Sequence, residues 1–355
     1  MSTDHVGIAL PPGFEHLAEH GRVLETVLSA LEQVEAQLEE ALAFDDEFSQ
    51  TATAHLLAAG GKRVRPVLTV LAALLGDPEL ASGQVVPVGA QARQAAVVME
   101  LTHLATLYHD DVMDEAAVRR GAPAAHRLWG NAAAILAGDL IFARASQLMS
   151  ELGPRAVRIQ AETFERLVQG QLWETRGPSA GQDPIEHYYR VLGGKTGSLI
   201  AASGVLGALL GGADESAVAV MGEYGEKVGL AFQLADDLLD LTSTAEALGK
   251  TPGTDLRERV ATLSTLLLDR AAASEDAAEA AEARRVKELV DGPLDDDAQL
   301  GAAVAALVAH PAFTRAWETT HDWADQAKAA LAPLPDSVVK ESLAGFADYV
   351  VDRAS

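Results

Sequence analysis

An all-α fold follows from three features of the sequence: apolar residues recur at helical spacing, alanine is abundant, and alternating β-branched stretches between paired turn signals are nearly absent. Leu24, Leu28, Leu31, Leu38 and Leu42 fall along one stripe with Glu and Gln opposite, as in a helix that buries one face. Alanine is the strongest helix former, whereas strands favour Val, Ile, Thr and aromatic residues, so no sheet is expected. Glycine and proline then punctuate the helices in order. Breaks are expected at Gly60-Gly61, Gly76-Asp77-Pro78, Gly121-Ala122-Pro123, Gly153-Pro154, Gly177-Pro178, Gly211-Gly212, the stretch 249–253, Gly292-Pro293 and the stretch 333–335. The expectation is one domain over residues 1–355. It is a single large bundle of about ten or more helices, with roughly the first 20 residues loosely ordered.

With 355 residues and 48% hydrophobic content, the chain can fill one large core, and no linker-like stretch interrupts it. Cysteine is absent, which excludes disulfides, thiolate metal sites and a cysteine nucleophile, and fits a reducing cytoplasm. The 27 basic and 52 acidic residues give a net charge of −25, so nucleic acid is not an expected partner and anionic headgroups are repelled. A phosphorylated ligand would be repelled too, unless metal ions and local Lys or Arg residues reverse the field. Residues 1–12 lack the basic-then-apolar order of a secretory signal. The longest apolar run, 199–213, is too short and too rich in glycine for a bilayer, and reads as a buried helix in close contact with its neighbours. The alanine-rich stretch 271–288 mixes charges and reads as a solvated surface helix.

Two clusters share one spelling: Asp110-Asp111-Val112-Met113-Asp114 and Asp236-Asp237-Leu238-Leu239-Asp240. In each, the first and last Asp stand at i and i+4 on one helix face, where like charges repel. Cations between them would remove that repulsion. Hard oxygen donors suit Mg²⁺, which completes its shell with water and substrate phosphates. Arg119 and Arg120 follow the first cluster and offer planar donor forks for phosphate. Gly60-Gly61-Lys62-Arg63-Val64-Arg65-Pro66 places flexible glycines before a run of cations at a helix start. Lys195-Thr196 offers a cation beside a hydroxyl oxygen. Taken singly, each motif also has a plainer reading: an acidic surface face, a basic helix start, a helix cap. The paired clusters make the plainer reading of an acidic surface a poor one.

In order and wording, these motifs resemble the all-trans isoprenyl diphosphate synthases, the polyprenyl synthetases. The resemblance runs from about Gly60 to Arg353. It takes in GGKRVRP at 60–66, Glu100 and His103 before HDDVMD, RRG at 119–121, LAGD at 136–139, GQ at 170–171, KT at 195–196, FQLADDLLD at 232–240 and GK with GTDL across 249–256. It implies a helical bundle of the isoprenoid synthase type around a deep central cavity, and a Mg²⁺-dependent head-to-tail condensation of an allylic diphosphate with isopentenyl diphosphate. About three Mg²⁺ ions per active site are implied. Asp110, Asp114 and Asp236 look like the principal ligands, with Asp111, Asp237 and Asp240 in support. Arg119, Lys195 and Lys250 look like contacts to the allylic diphosphate, and Lys62, Arg65, His103 and Arg120 like contacts to isopentenyl diphosphate. Thr196 and Gln233 would face the developing carbocation. A homodimer is implied. A cytoplasmic enzyme touching membranes transiently to release an oily product fits the chemistry.

Departures from the family pattern are few. Gln171 stands where many members carry Glu, Val260 where many carry Lys, and Ser264 follows Thr262-Leu263 where TLP is common. Gly193-Gly194 would loosen the helix start before Lys195. The growing product should run along the helix of the first cluster, past Ala105 and Thr106, where early-stopping members place aromatic rings. Leu101, Phe142, Leu148 and Met149 are candidates for a floor. Small side chains at 105 and 106 point to a product longer than C20, in the roughly C30–C50 range. A geranylgeranyl or farnesyl diphosphate synthase is the main alternative. A class I terpene cyclase or a non-catalytic synthase subunit would not need, respectively, the second diphosphate site or both intact clusters.

Overall fold

The computed structural model describes residues 10–80, 85–243 and 252–352. The first helices in chain order are α1 (Gly21–Ala41), α2 (Glu47–Ala58), α3 (Val64–Ala73), α4 (Ala90–Met113), α5 (Ala125–Trp129), α6 (Asn131–Ser150), α7 (Pro154–Arg176) and α8 (Pro184–Leu192). A π-helical turn, Gly193–Gly197, leads into α9 (Ser198–Gly211) and α10 (Glu215–Thr242). Then follow α11 (Thr254–Arg257), α12 (Leu263–Ala272), α13 (Ala277–Val290), α14 (Asp297–Val308), α15 (Pro311–Ala330) and α16 (Val338–Asp352). Among the described residues the all-α expectation holds with one exception. Val118–Arg119 pairs antiparallel with Ala122–Pro123 in a two-stranded hairpin. Arg120 and Gly121 at its tip both have positive φ, 53° and 77°, the backbone of a two-residue type I′ turn. The stretch was expected only as a break, because so short a hairpin has no room for an alternating pattern.

The residues gather into two compact units. One comprises Met1–Glu165, Leu199–Gly225 and Ala330–Phe346. Its centre is α4, most of whose side chains are buried, packed against α1, α3 and α6. The apolar run 199–213 does lie in a closely packed helix. A Cβ at Gly207 would collide with the Thr69 carbonyl, and one at Gly211 with that of Ala73, so the glycines of α9 let α3 approach backbone to backbone. On α1 the buried stripe is rotated slightly from the leucine stripe, to Val23, Val27, Leu31, Val34 and Leu38, and leaves Leu24 and Leu28 half-buried. The expectation of a loosely ordered start fails for residues 13–19. Phe14 and Leu17 are fully buried, and Phe14 stacks on Phe346 with centroids 4.7 Å apart. Of the described helices, α6 is long and apolar enough to cross a membrane by length and composition, yet Ala134, Ala137, Gly138, Ile141, Ala145 and Met149 are buried on one side of it.

The other unit comprises Arg166–Ser198, Glu226–Ala329 and Ala347–Ser355. Its apolar cluster draws on α8, the second half of α10 and helices α12 to α15. The stretch expected as one surface helix, 271–288, is broken: α12 stops at Ala272 and α13 starts at Ala277. Ala280, Ala283, Val286 and Val290 form a buried stripe on α13. The stripe is hard to see among so many alanines, because its spacing differs little from that of the exposed ones. Part of the acidic surplus serves to begin helices. Asp183 caps α8 ahead of Pro184, accepting from Ile185 N at 2.8 Å, and Asp276 and Asp296 cap α13 and α14 in the same way.

Candidate active site

The first aspartate cluster closes α4. Asp114 is the C-cap and donates its N–H to Asp110 O at 2.8 Å, and no basic side chain stands in the last turn. The second cluster closes α10, which also lacks a basic residue in its last turn. In each, three carboxylates stand where the helix dipole is already negative, and only cations relieve that arrangement. Among the described residues no three His, Asp or Glu side chains are grouped so as to hold a metal by themselves. The donors are all hard oxygens. They fit Mg²⁺, which takes one or two carboxylates and fills its shell from water and phosphate.

Around the first cluster, Asp114 is exposed, Asp110 half-buried and Asp111 fully buried. Asp111 Oδ1 accepts from Arg119 Nε at 2.6 Å, while Oδ2 is buried with no hydrogen-bond partner. Burial pushes its pKa up, against the pull of Arg119. His109, just before the cluster, is seated over Gly138, where a Cβ would strike the imidazole. Its Nε2 lies 3.2 Å from Ile135 O and 3.3 Å from Asp139 Oδ1, so the LAGD stretch of α6 is the seat of this end of α4. Tyr108, fully buried, donates to Ala52 O at 2.5 Å and accepts from Leu56 N at 3.3 Å, pinning α2 to α4.

The loop after α2 and the hairpin tip bring the expected basic residues together. Arg63 holds a left-handed backbone at φ 51°. Its Nε donates to Glu35 Oε1 at 2.5 Å and its Nη1 to Glu100 Oε1 at 3.2 Å. Arg120 donates through Nη1 to Leu56 O at 2.9 Å and to Gly60 O, and its Nη2 lies 3.6 Å from Glu100. Glu100 is thus a carboxylate, only 2% exposed, between two guanidinium groups that would otherwise repel each other. Arg65 has a buried Nε without a hydrogen-bond partner, and burial pulls its pKa down to about 10 although Glu100 opposes the shift. Burial first, then the charges of Arg65, Arg120, Arg119 and Arg63, hold the His103 pKa well below the usual histidine range. His103 is therefore neutral, among four arginines. Lys62 is exposed at the edge of this cluster.

The residues expected to govern product length have mixed surroundings. Ala105, Leu101 and Met149 are buried, and Thr106, also buried, turns its hydroxyl to His103 O at 2.8 Å. Phe142 is half-buried and stacks on Phe164 of α7, centroids 4.0 Å apart.

Around the second cluster a chain of hydrogen bonds runs to Asp237. Thr196 Oγ1 donates to Gln233 Oε1 at 3.1 Å, Gln233 Nε2 donates to Asp237 Oδ1 at 3.0 Å, and Tyr188 OH donates to Asp237 Oδ2. Thr196 spends its only proton on Gln233, which leaves its oxygen lone pairs as the exposed polarity of that group. Burial raises the Asp237 pKa to about 7 in spite of the two donors. Asp240 is buried, with Oδ2 accepting from Asp255 N at 3.1 Å. Lys195 stands in the π-helical turn, a form often found at functional positions. Gly193-Gly194 do not loosen that turn. A Cβ at Gly170 would come within 2.7 Å of Lys195 N, so the glycines seat the turn directly against α7. Lys195 Nζ donates to Glu174 Oε2 at 2.6 Å. Lys250 lies outside the described residues. Val260 is exposed, and the neighbouring Arg259 is committed to the carbonyls that end α13, donating to Val290 O at 2.5 Å. Ser264 is fully buried, its hydroxyl 3.0 Å from that of Thr262.

A family model for polyprenyl synthetase matches residues 46–294. The chain belongs to the polyprenyl synthetase family. It is 46% identical over 327 residues to a nonaprenyl diphosphate synthase of Mycobacterium tuberculosis, covering 92% of this chain and 93% of the other. It is 39% identical over 307 residues to a dimethylallyltranstransferase of the same organism, covering 86% and 88%. Among solved structures, a geranylgeranyl pyrophosphate synthase from Corynebacterium glutamicum, complexed with calcium and isoprenyl diphosphate, superposes with a TM-score of 0.80 at 42% identity, covering 94% of this chain and 98% of the other.

This polyprenyl synthetase is a prenyltransferase of the all-α class. Several residues that shape its site had escaped the sequence reading. Glu35 comes from α1, far from every motif. Glu174 sits beside motif residues but carries no recognisable spelling of its own. Gly138 and Asp139 were read as part of LAGD, but their job, seating His109, is visible only in three dimensions.

Proposed function

We propose that the enzyme extends an allylic diphosphate by head-to-tail addition of isopentenyl diphosphate, yielding an all-trans polyprenyl diphosphate longer than C20. The observation that carries this reading is that the chain holds two acid-rich helix ends and, separately, a cluster of arginines around Glu100, since the reaction must hold one diphosphate as a leaving group and another as a spectator. Asp110, Asp114 and Asp236, supported by Asp111, Asp237 and Asp240, would serve the allylic diphosphate through Mg²⁺. Bound there, the ions would act as Lewis acids on the leaving oxygens. Arg119 and Lys195 add fixed positive charge to the same group, and Lys250 is assigned there too. Arg65 and Arg120, braced by Glu100, and the exposed Lys62 would hold isopentenyl diphosphate. Neutral His103 donates a hydrogen bond without adding charge. Once the allylic C–O bond breaks, the Thr196 oxygen, oriented by its bond to Gln233, faces the cation. The double bond of isopentenyl diphosphate attacks, and the proton lost passes to the departing diphosphate. Water must be excluded or the cation becomes an alcohol.

For product length, the 46% identity to a nonaprenyl diphosphate synthase and the small side chains Ala105 and Thr106 support roughly C30–C50. The 42% identity to a geranylgeranyl pyrophosphate synthase supports a shorter product as the second reading. Leu101, Phe142 and Met149 are assigned to the floor of the product tunnel, and the working assembly is taken as a cytoplasmic homodimer of a single domain that meets membranes only to release product. Incubation with Mg²⁺, labelled isopentenyl diphosphate and farnesyl diphosphate, followed by chromatography of the dephosphorylated product, tests the assignment. Chains beyond C20 support it, C20 alone selects the second reading, and no incorporation defeats both. Ala105→Phe should shorten the product; an unchanged distribution would remove Ala105 from the tunnel wall.

A further inference from the structure

We infer that Glu174 is a positioning residue that shares Lys195 with the diphosphate and thereby sets how tightly the leaving group is held. The inference rests on the assignment of Lys195 to the allylic diphosphate. The close seating of the π-helical turn on α7 fixes the backbone of Lys195 opposite Gly170, and Glu174 stands four residues further along the same helix face. Lys195 Nζ donates to Glu174 Oε2 at 2.6 Å, and the same oxygen accepts from Gln171 Nε2 at 3.1 Å. Gln171 therefore braces the carboxylate from one turn earlier.

The pair remains open to exchange, with Lys195 and Glu174 side chains 26% and 38% exposed. A pair so exposed is worth little, so a polyvalent anion can draw the ammonium away from the Glu174 carboxylate. The carboxylate stays nearby, however, and its charge works against whatever anion Lys195 holds. In a chain of net charge −25, that opposition adds to a field already hostile to diphosphate. Substrate is held less tightly than a free lysine would hold it. Pyrophosphate left after the condensation gives the lysine back to Glu174 as it departs.

Titration calorimetry with inorganic pyrophosphate and Mg²⁺, alongside steady-state kinetics, decides the matter. Glu174→Gln keeps the shape and removes the charge. It should tighten pyrophosphate by ~3–10-fold and lower the KM for the allylic diphosphate by a similar factor, with no gain in kcat. Glu174→Asp should return both values towards wild type. Gln171→Glu, which adds a second charge, should weaken both. Unchanged or weaker pyrophosphate binding in a folded Glu174→Gln variant overturns the proposal if Lys195→Gln weakens binding as expected. If Lys195→Gln leaves pyrophosphate binding unchanged, the assignment of Lys195 to the diphosphate fails first, and the role of Glu174 with it.

Discussion

His103 shows how far surroundings can bend a single residue. Burial and four nearby arginines press its pKa downward, so the folded chain refuses a proton that the unfolded chain accepts below about pH 6.5. Between those two values the unfolded state binds more protons, so stability is fully present above the unfolded pKa and is lost as pH falls through this window. His103→Gln removes the titrating group and should flatten the decline in stability between pH 6.5 and 5 by at most ~1.4 kcal/mol per pH unit, the slope of one proton. Denaturant melts across that range measure the difference, and parallel curves for the two proteins would refute the burial argument. An anion within the arginine cluster should shrink the difference, because it offsets the charges that repel the imidazolium. At this scale the sequence was a good guide to which of the singled-out residues lie together. Arg65, His103 and Arg120 were expected to act together, and they share one electrostatic cluster. It was a poor guide to their braces. Glu35 and Glu100 are recognisable as partners of Arg63 only once α1, α4 and the loop after α2 are placed.

Elements were legible where their residue types stand out from the background, and illegible where they do not, as on the alanine-rich stripe of α13. The run 199–213 was expected to be a buried helix in close contact, and its glycines do bring the backbones of α9 and α3 together. Gly207→Ala is therefore the sharpest test of that contact. The added methyl has no room beside the Thr69 carbonyl, so α9 or α3 must shift. Overpacking of this kind destabilises by ~1–3 kcal/mol, which should lower the denaturant midpoint with little change in slope. An unchanged midpoint would mean the helices can separate freely. By contrast, the hairpin at 118–123 was expected only as a break, and the π-helical turn at 193–197 only as a loosened helix start. A hairpin of two-residue strands has no periodicity, and a single π turn is too short to show one of its own. Both nevertheless carry groups assigned above to the diphosphates and the cation: Arg119 and Arg120 on the first, Lys195 and Thr196 on the second. The local geometry that aims these cations was the least readable part of the fold.

For the molecule as a whole, charge is the organising quantity, and it leads to a prediction about metal. A net charge of −25 means that the folded chain repels itself, and the two aspartate clusters concentrate that repulsion at two helix ends with no basic side chain in their last turns. Mg²⁺ should therefore raise the melting temperature of the enzyme even without substrate. The gain should exceed that from a monovalent salt at matched ionic strength, which acts on charged surfaces everywhere by screening. Asp110→Asn and Asp236→Asn relieve one helix end each. In metal-free buffer each variant should be as stable as wild type or more so, by a few tenths of a kcal/mol up to ~1 kcal/mol, because a carboxylate has left the negative end of a helix dipole. Each should also lose much of the Mg²⁺-dependent gain, and prenyl transfer should fall by orders of magnitude if these carboxylates serve the leaving group. The three readouts separate the causes. A variant that is less stable without metal would show the aspartate to be structural. One that keeps the full response to Mg²⁺ would show the ions to bind elsewhere. Only metal-free stability at least equal to wild type, a blunted Mg²⁺ response and lost turnover in the same variant identify a cluster whose charge is retained for catalysis.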